Sequence, residues 1–364
     1  SNKLIKDIGY YSYNQLLFQK AYSGYNKGKL KESKMIYNDL LNKNITNEYR
    51  IIIKNNLYNY PDTDKLFDLS ETIKVDSNIT IINNYNDNKP ASFYLYENCS
   101  ISKKIKEGNI WEKYIHNIID EYVNNKFVSV EVGSHVGTCS VKLAQKSKYL
   151  YCFEPLIHSY NLLCKNLTMN KCNNVKTFLV GLSNSNEKSK LKFIALNNPG
   201  GCGLISKYNY GYENCLHYKK NVHILDDDYE VNLKKLDSYN LKIDFLKIDV
   251  EGYEDNVLRG SINTIKESLP IIIFEAFEDM INFNMLSNKE FEKRFNYILE
   301  LGYVYKKISE YDWFLIHPKR FKIGIDIGAC IGETIRYFDN CDKVYAIEPG
   351  KEEFIQLKEK YKND

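Results

Sequence analysis

The sequence predicts an α/β fold with a doubly wound, mostly parallel sheet and a small N-terminal helical region. Apolar strand-like runs alternate with segments of helical periodicity between about residues 111 and 318, a pattern typical of parallel sheets that are covered by helices. A glycine-containing turn follows the first of these runs, and acidic residues follow several others. Because ligands of such sheets bind beyond the carboxyl ends of the strands, the pattern also predicts where a site lies.

The first part of the chain is predicted to be a helical, tetratricopeptide-like region over residues 1–65. The order of Ala21, Gly28, Ser33 and Tyr37 resembles a single tetratricopeptide repeat. One repeat cannot bury its own apolar face and needs a stacking partner. We therefore expect this region to pack on the rest of the chain or on a sister chain, with a peptide-binding groove as the alternative.

Residues 66–110 are predicted to be a connecting segment, because they are polar and lack a sustained period. Two short runs within them, 79–82 and 93–96, are candidates for strands. Residues 111–123 are amphipathic and predict a helix that lies against the sheet before its first strand.

The stretch over residues 127–155, FVSVEVGSHVGTCSVKLAQKSKYLYCFEP, predicts a strand, a glycine turn, a helix and a second strand. The turn has the spacing Glu131-x-Gly133-x-x-x-Gly137, and the second strand ends on Glu154. Glycines let a ligand approach the backbone, and the start of the helix offers free N–H groups. An acid at the tip of the second strand can accept hydrogen bonds from two ribose hydroxyls. A tight turn that binds no ligand is the alternative.

The remaining elements continue the alternation. Strands are predicted over residues 175–182, 191–196, 243–250 and 270–274, helices over 160–170, 257–265 and 291–301, and a closing antiparallel pair over 303–308 and 313–316. Residues 197–230 form an irregular insertion, predicted to be a lid or substrate loop, or else a surface loop. The polar residues at or near strand ends, whose convergence favours a site, are Glu131, Glu154, Ser183, Asp249, Glu251 and Glu275.

Composition excludes several classes of function. The formal net charge of +3 gives no polycation for nucleic acid, and without an apolar run of about 18 residues no membrane span is expected. The nine cysteines include no C-x-x-C pair, which argues against a zinc site and favours reduced thiols in a cytoplasmic protein.

The spacing of the glycine turn separates two ligand classes. Dinucleotide-binding folds carry G-x-G-x-x-G, and this chain has no G-x-G in the turn. Its E-x-G-x-x-x-G form, followed by an acid after the second strand, is the one seen in methyltransferases that use S-adenosylmethionine (SAM).

The chain resembles the FkbM-type methyltransferases over about residues 111–318. The segments that carry the resemblance are VEVGSHVGTCSVKLA, YCFEP, KNLTMNKCNNV, LKKLDSYN, IDFLKIDVEGYEDNVLRG and PIIIFEAF. The resemblance implies a seven-stranded SAM-dependent methyltransferase domain over residues 111–320. It also implies methylation of a hydroxyl group, often on a sugar or polyketide.

The resemblance implies roles for individual residues. Glu154 is expected at the ribose, Ser183 beside the adenine, and Asp249 near the methionine end. The full set expected to bind the cofactor is Glu131, Gly133, Ser134, His135, Gly137, Glu154, Ser183 and Asp249. His135 departs from the family, which more often has a small residue followed by Asn there. We expect it to cap the following helix, and contact with the SAM carboxylate is the alternative.

The end of the chain repeats the opening motif. Residues 322–349 contain Asp326-x-Gly328-x-x-x-Gly332 and then Glu348. Residues 321–364 therefore resemble the truncated start of a second methyltransferase-like domain. Since half of any SAM site is missing from this piece, we expect it to bind no SAM and to pack on the first domain or on a neighbouring chain.

Asp249 and Glu251 are the predicted catalytic residues. Methyl transfer to a hydroxyl requires alignment of the acceptor and removal of its proton. One of the two acids could bind the SAM ammonium group while the other acts as the base. Alternatively, Asp249, Glu251 and Glu275 could hold Mg²⁺, which would acidify a bound hydroxyl.

Three functions compete at this stage. The favoured one is SAM-dependent O-methylation of a sugar, a glycan or a related small molecule. The second is a catalytically inactive scaffold that binds a protein partner through its N-terminal helices, with homo-oligomer formation left open. The third, a dinucleotide oxidoreductase, is disfavoured by the missing G-x-G.

Overall fold

The structure is a computed structural model, and it describes residues 76, 78–86, 89–97, 99–190, 193–195, 198–204, 222–224, 230–279, 284–320, 323–330 and 343–361. The predicted helical region over residues 1–65 lies outside these residues. Much of the insertion predicted over residues 197–230 does so too.

A β-hairpin and two helices precede the main sheet. Strands β1 (Thr80–Asn86) and β2 (Lys89–Phe93) pair in antiparallel fashion. The predicted run 79–82 lies mostly in β1, whereas the predicted run 93–96 overlaps β2 only at Phe93. They are followed by helices α1 (Ser100–Lys106) and α2 (Lys113–Tyr122). Helix α2 confirms the amphipathic helix predicted over residues 111–123, and its apolar side buries Ile115 and Ile119.

The main sheet has seven strands and is flanked by five helices. The strands are β3 (Val128–Val132), β4 (Tyr149–Phe153), β5 (Val175–Phe178), β6 (Phe245–Ile248), β7 (Ile271–Glu275), β8 (Val304–Lys307) and β9 (Asp312–Ile316). The helices are α3 (Thr138–Lys146), α4 (Ile157–Met169), α5 (Glu254–Arg259), α6 (Ile262–Ser268) and α7 (Asn288–Leu299).

The strand order across the sheet is β8-β9-β7-β6-β3-β4-β5. Only β9 runs against the others, pairing in antiparallel fashion with both β7 and β8. The predicted doubly wound, mostly parallel seven-stranded sheet and its closing antiparallel pair are thus confirmed. The chain order reverses between β3 and β6, and such a switch point opens a crevice at the carboxyl ends of the strands.

The strand predicted over residues 175–182 is divided between two sheets, which corrects that prediction. Strand β5 ends at Phe178, and Gly181–Leu182 pairs in parallel with Glu230–Lys234 in a separate three-stranded sheet. A Cβ on Gly181 would lie 2.8 Å from the Leu233 side chain, so glycine permits this close approach.

Both faces of the sheet are covered by apolar side chains. On one face Ile119, Val141 and Leu163 belong to a cluster that also takes in the hairpin. On the other face Phe291 stacks on Trp313 with ring centroids 3.8 Å apart. No helix within the described ranges is long and apolar enough to span a membrane.

Side-chain amides join the hairpin to helix α4. The Asn166 side-chain oxygen accepts a hydrogen bond from the Tyr94 N–H at 2.7 Å, and its amide donates to the Tyr94 and Val136 carbonyls at 3.0 and 2.7 Å. Asn170 bonds both backbone groups of Ser92 in the same way. The segment after residue 78 therefore packs on the sheet domain.

The end of the chain forms a small unit of its own. Strands β10 (Ile323–Ile327) and β11 (Lys343–Ile347) pair in parallel, and helix α8 (Lys351–Lys360) follows. Leu357 is buried, but the large apolar side chains that stay exposed here are Ile327, Tyr345, Ile347, Phe354 and Ile355. Packing of this unit on the first domain or on a neighbouring chain stays a prediction.

Candidate active site at the switch point of the sheet

A cavity opens beyond the carboxyl ends of β3, β4 and β6. Its lining includes six predicted site residues, namely Glu131, Gly133, Ser134, His135, Glu154 and Asp249, together with the predicted catalytic residue Glu251. Further wall residues, for which no role was predicted, are Ile101, Trp111, Glu112, Leu182, Lys247 and Tyr253. The structure thus brings most of the predicted residues into one crevice.

Gly133 lies at the bottom of the crevice with a φ of 79°, a conformation that disfavours residues with a side chain. A Cβ on it would lie 1.7 Å from the carbonyl oxygen of Asp249. Its N–H donates to the Phe153 carbonyl at 2.9 Å, and the N–H of Ser134 donates to the same oxygen at 3.2 Å. This glycine therefore joins the ends of three strands.

Glu154 is buried at the tip of β4, and backbone donors hold both of its oxygens. The N–H of His135 donates to Oε2 at 2.8 Å, and the N–H of Leu156 donates to Oε1 at 2.9 Å. Burial raises the pKa of this carboxyl to about 7, although the two N–H donors favour its ionised form. Each carboxylate oxygen has a second lone pair, which leaves acceptor capacity toward the cavity.

His135 adopts the left-handed conformation, with a φ of 47°. Its ring lies beside that of Tyr96, with centroids 5.6 Å apart, and its buried Nε2 has no hydrogen-bond partner among the described residues. Burial lowers the pKa of the imidazole to about 4, so the ring is neutral at physiological pH. The expected helix cap is wrong, because Gly137 is the N-cap residue of α3 and no side chain bonds there.

Lys247 is the most informative residue that the sequence predictions missed. Strand alternation places Leu246 and Ile248 in the core and turns Lys247 to the other face, directly opposite Glu131 on β3. Its Nζ lies 3.0 Å from Asp249 Oδ2, and its side chain is 4% exposed. A lone lysine in the apolar run IDFLKIDV was the available signal, since an unpaired charge is not buried in a strand.

Glu112 is the second cavity residue that was missed. It immediately precedes α2, and its Oε2 lies 3.9 Å from Lys247 Nζ. Burial raises the pKa of this carboxyl above its usual range, and the Lys247 ammonium group opposes the shift by favouring the ionised form. For Lys247 itself, burial disfavours the charged form, but Asp249 and Glu112 outweigh that cost and hold its pKa well above its usual range.

Glu251 and Gly252 form the turn that follows β6, with φ values of 55° and 90°. The buried Glu254 organises this turn, because its Oε1 accepts hydrogen bonds from the N–H groups of Val250 and Gly252 at 3.0 and 3.2 Å. Burial raises the pKa of Glu251 well above its usual range, and the nearby Asp249 adds to the shift. A protonatable carboxyl thus faces the cavity beside an ion pair.

Three predicted residues lie outside the cavity lining. Ser183 is buried behind it, with its hydroxyl 3.3 Å from that of Tyr253. Gly137 has a φ of 86° and packs under Leu163, so its role is to shape the start of α3. Glu275, at the end of β7, is absent from the lining.

Within the described residues, no group of three or more His, Cys, Asp or Glu side chains is arranged to hold a metal ion. The candidate magnesium ligands Asp249, Glu251 and Glu275 are all described, so this geometry does not support the predicted trio. The cation that Asp249 contacts is the Lys247 ammonium group.

The end of the chain reproduces the turn geometry of the main site. The N–H groups of Gly328 and Ala329 both donate to the Ile347 carbonyl, at 2.7 and 3.2 Å. The carboxylate of Glu348 accepts hydrogen bonds from the N–H groups of Cys330 and Gly350, both at 2.6 Å. These contacts correspond to those of Gly133, Ser134 and Glu154, the residues of the motif that this segment repeats.

Comparison with known proteins gives matches in sequence and in structure. Residues 131–305 match the family model of the methyltransferase FkbM domain. The methyltransferase sdnD of Sordaria araneosa is 30% identical over 180 residues, which are 43% of this chain and 68% of that protein.

Two solved structures are also similar. The methyltransferase FkbM of Methylobacillus flagellatus KT has 15% identity and a TM-score of 0.34, and the match covers 53% of this chain and 43% of that one. SMU.1697c of Streptococcus mutans, solved with SAH, has 11% identity and a TM-score of 0.33, covering 56% and 96%. Both scores are low, so the fold assignment rests on the strand order of the main sheet. From the domain match and the Sordaria relative, the chain belongs to the FkbM methyltransferase family.

Proposed function

We propose that this protein is a SAM-dependent O-methyltransferase that acts on a hydroxyl of a sugar, a glycan or a related small molecule. The observation that carries the proposal is the shared crevice of Glu154 and Asp249, on opposite sides of the switch point between β3 and β6. One acid suits the ribose of a nucleoside, and the other suits its charged tail. Membership of the FkbM family supports methyl transfer as the reaction.

The residues of the crevice fit SAM at four points. Gly133 leaves the turn free of a side chain, and Glu154 keeps acceptor capacity for ribose hydroxyls. The buried Nε2 of His135 has no partner in the described part of the chain, and it can bond the SAM carboxylate. Ser183 contributes beside the adenine through Tyr253, whose side chain does line the cavity.

When bound, SAM supplies a methyl group on a positively charged sulfur. Asp249 lies beside the expected methionine end with Lys247 Nζ 3.0 Å from its Oδ2, and its other oxygen can bind the SAM ammonium group. Glu251 would act as the base that accepts the proton of the acceptor hydroxyl, and the bound cofactor would supply the methyl group to that oxygen. The raised pKa of Glu251 makes it a stronger base once it is ionised.

One alternative has a specific test, which is SAM binding by the wild-type chain. In the scaffold version, the sheet domain binds no SAM and the N-terminal helices bind a protein. The intact set of Glu131, Gly133, Glu154 and Asp249 around one cavity favours the enzyme.

The proposal includes a cytoplasmic setting, with which the unpaired and buried thiols of Cys139 and Cys152 agree. Homo-oligomer formation through the exposed apolar residues of β10 and β11 also belongs to the proposal. Size-exclusion chromatography with light scattering tests the latter.

Calorimetric titration tests the cofactor assignment. The protein is expected to bind one equivalent of SAM and of its demethylated product, and Glu154→Ala should weaken binding by about 1.5–3 kcal/mol per charged hydrogen bond lost. A screen of sugar and polyol acceptors, with methyl transfer followed by mass spectrometry, then identifies the substrate. Absence of SAM binding by the wild-type chain would contradict the proposal.

A further inference from the structure

Lys247 is shared between two carboxylates that come from distant parts of the chain. Its Nζ lies 3.0 Å from Asp249 Oδ2 and 3.9 Å from Glu112 Oε2. The lysine is 4% exposed, so these groups rather than water balance most of its charge. Lys247 bonds Oδ2 of Asp249, and the Asp249 side chain is 31% exposed, which leaves Oδ1 of this carboxylate for a ligand.

Glu112 belongs to the cavity although it precedes the residues that match the FkbM domain. Its backbone is left-handed, with φ 50° and ψ 48°, and its side chain makes no capping bond to α2. An acidic side chain just before a helix ordinarily accepts hydrogen bonds from the first backbone N–H groups of that helix. Instead the carboxylate extends toward Lys247, with its side chain 20% exposed. The local structure therefore gives no reason for a glutamate at this position, whereas its contact with Lys247 does.

We propose that Glu112 is a positioning residue, which holds Lys247 from the side opposite Asp249 so that Asp249 can bind the ammonium group of the cofactor. The inference rests on the proposed function, in which Asp249 makes that contact. Without Glu112, the lysine is balanced chiefly by Asp249. An incoming ammonium group then meets a carboxylate that is already committed to a cation, and the two like charges repel.

The charged and titratable groups around this arrangement come from several elements. Those that interact electrostatically with Glu112 or Lys247 are Glu131, His135, Cys139, Asp249, Glu251 and Asp312, together with Tyr114 and His116 on α2, the helix that Glu112 precedes. Lys247 is the only cation among them. Its position thus decides how the negative charge of the crevice is presented to a cationic ligand.

The test is a double-mutant cycle read by calorimetric titration of the full chain with SAM. Glu112→Gln is expected to raise the Kd by about 10-fold, an effect in the range of coupled neighbours. In a Lys247→Met background the same change should alter the Kd by less than about 2-fold, because no lysine remains to be held. Glu107→Gln, an exposed glutamate on the preceding turn, is the matched control and should bind like wild type.

The outcomes separate this inference from the proposed function. If the wild type binds SAM and Glu112→Gln binds it with the same Kd, only the role of Glu112 is overturned. The same holds if the effects of the two substitutions on the free energy of binding add in the double mutant. Failure of the wild type to bind SAM overturns both. If Lys247→Met does not fold, Glu112→Asp is the deciding variant. SAM affinity that is retained in Glu112→Asp and lost in Glu112→Gln supports the charge-based role. An equal loss of affinity in both variants overturns it.

Discussion

Gly133 is packed against the backbone carbonyl of Asp249, so closely that a Cβ on the glycine would stand 1.7 Å from the oxygen. The two residues follow β3 and β6, the strands between which the chain order reverses. The glycine of this motif is therefore required by contact between two loops, before any ligand is considered. A substitution there disturbs both halves of the crevice at once.

Gly133→Ala is expected to destabilise the fold and to abolish SAM binding. The methyl group clashes with backbone rather than with a flexible side chain, and the φ of 79° adds strain of about 1–3 kcal/mol. Gly108→Ala is the matched control, since Gly108 has a φ of 83° with nothing within 4 Å of an added Cβ. Thermal unfolding should show a clearly larger loss for Gly133→Ala. Equal losses would mean that the clash is relieved and only the φ matters.

Glu154 should make stability depend on pH. Its pKa rises from 4.5 to about 7 on folding, so the folded state retains a proton that the unfolded chain releases between these values. The stabilising contribution is complete below about pH 4.5 and is lost as the pH rises through about 7. The total loss is about 3 kcal/mol at 1.36 kcal/mol per pKa unit.

Urea unfolding of wild type and Glu154→Gln at several pH values measures this effect. The free energy of unfolding of wild type should fall relative to the variant as the pH rises, because the glutamine does not titrate. Other buried acids titrate in both proteins and cancel in the difference. Parallel pH profiles for the two proteins would show that the pKa of Glu154 is not raised.

Glu251→Gln is expected to lower turnover by at least about 10², as for loss of a general base, with little change in Tm or in the Kd for SAM. Asp249→Asn should behave differently. It leaves the buried Lys247 without its 3.0 Å partner, and loss of one member of a buried pair is strongly destabilising. Asp249→Asn should therefore lower both Tm and SAM affinity. Full activity of Glu251→Gln on an identified acceptor would remove Glu251 from the mechanism.

Glu348→Gln should leave SAM binding unchanged, in contrast to Glu154→Gln. The two acids accept equivalent backbone hydrogen bonds, but only Glu154 lines the cavity. Titration is expected to give one SAM per chain. Two equivalent sites, or weaker binding by Glu348→Gln, would show that the terminal unit takes part.

Removal of the terminal unit should spare SAM affinity if Arg320 is kept. Its guanidinium pairs with Asp244 and donates to the Ser268 carbonyl at 3.1 Å, so it belongs to the sheet domain. A chain ending after Arg320 should keep its Kd, and one ending after Pro318 should lose stability. Equal unfolding temperatures for the two truncations would count against this boundary.

The sequence predicted the fold well because its signals are local. The alternating apolar runs and the Gly133 turn indicate strands and helices through a periodicity that can be read from neighbouring residues alone. The convergence of Glu154 with Asp249 followed because both residues come after parallel strands. Glu112 could not be found in this way, because its partner Lys247 lies over a hundred residues away and only tertiary packing brings them together. Ser183 was misplaced because Gly181–Leu182 leaves the main sheet.

The carboxylates of Glu154 and Glu348 each accept hydrogen bonds from two backbone N–H groups and so stabilise their own turns, whether or not a cavity adjoins the turn. A glutamate at this position thus stabilises the turn even in a domain that no longer binds a ligand. Where no cavity adjoins it, an intact glycine–acid signature is therefore weak evidence for catalysis in relatives of this fold. The residues that distinguish an active domain from an inactive one are those that do not stabilise the local turn. In this chain they are Lys247 and Glu112.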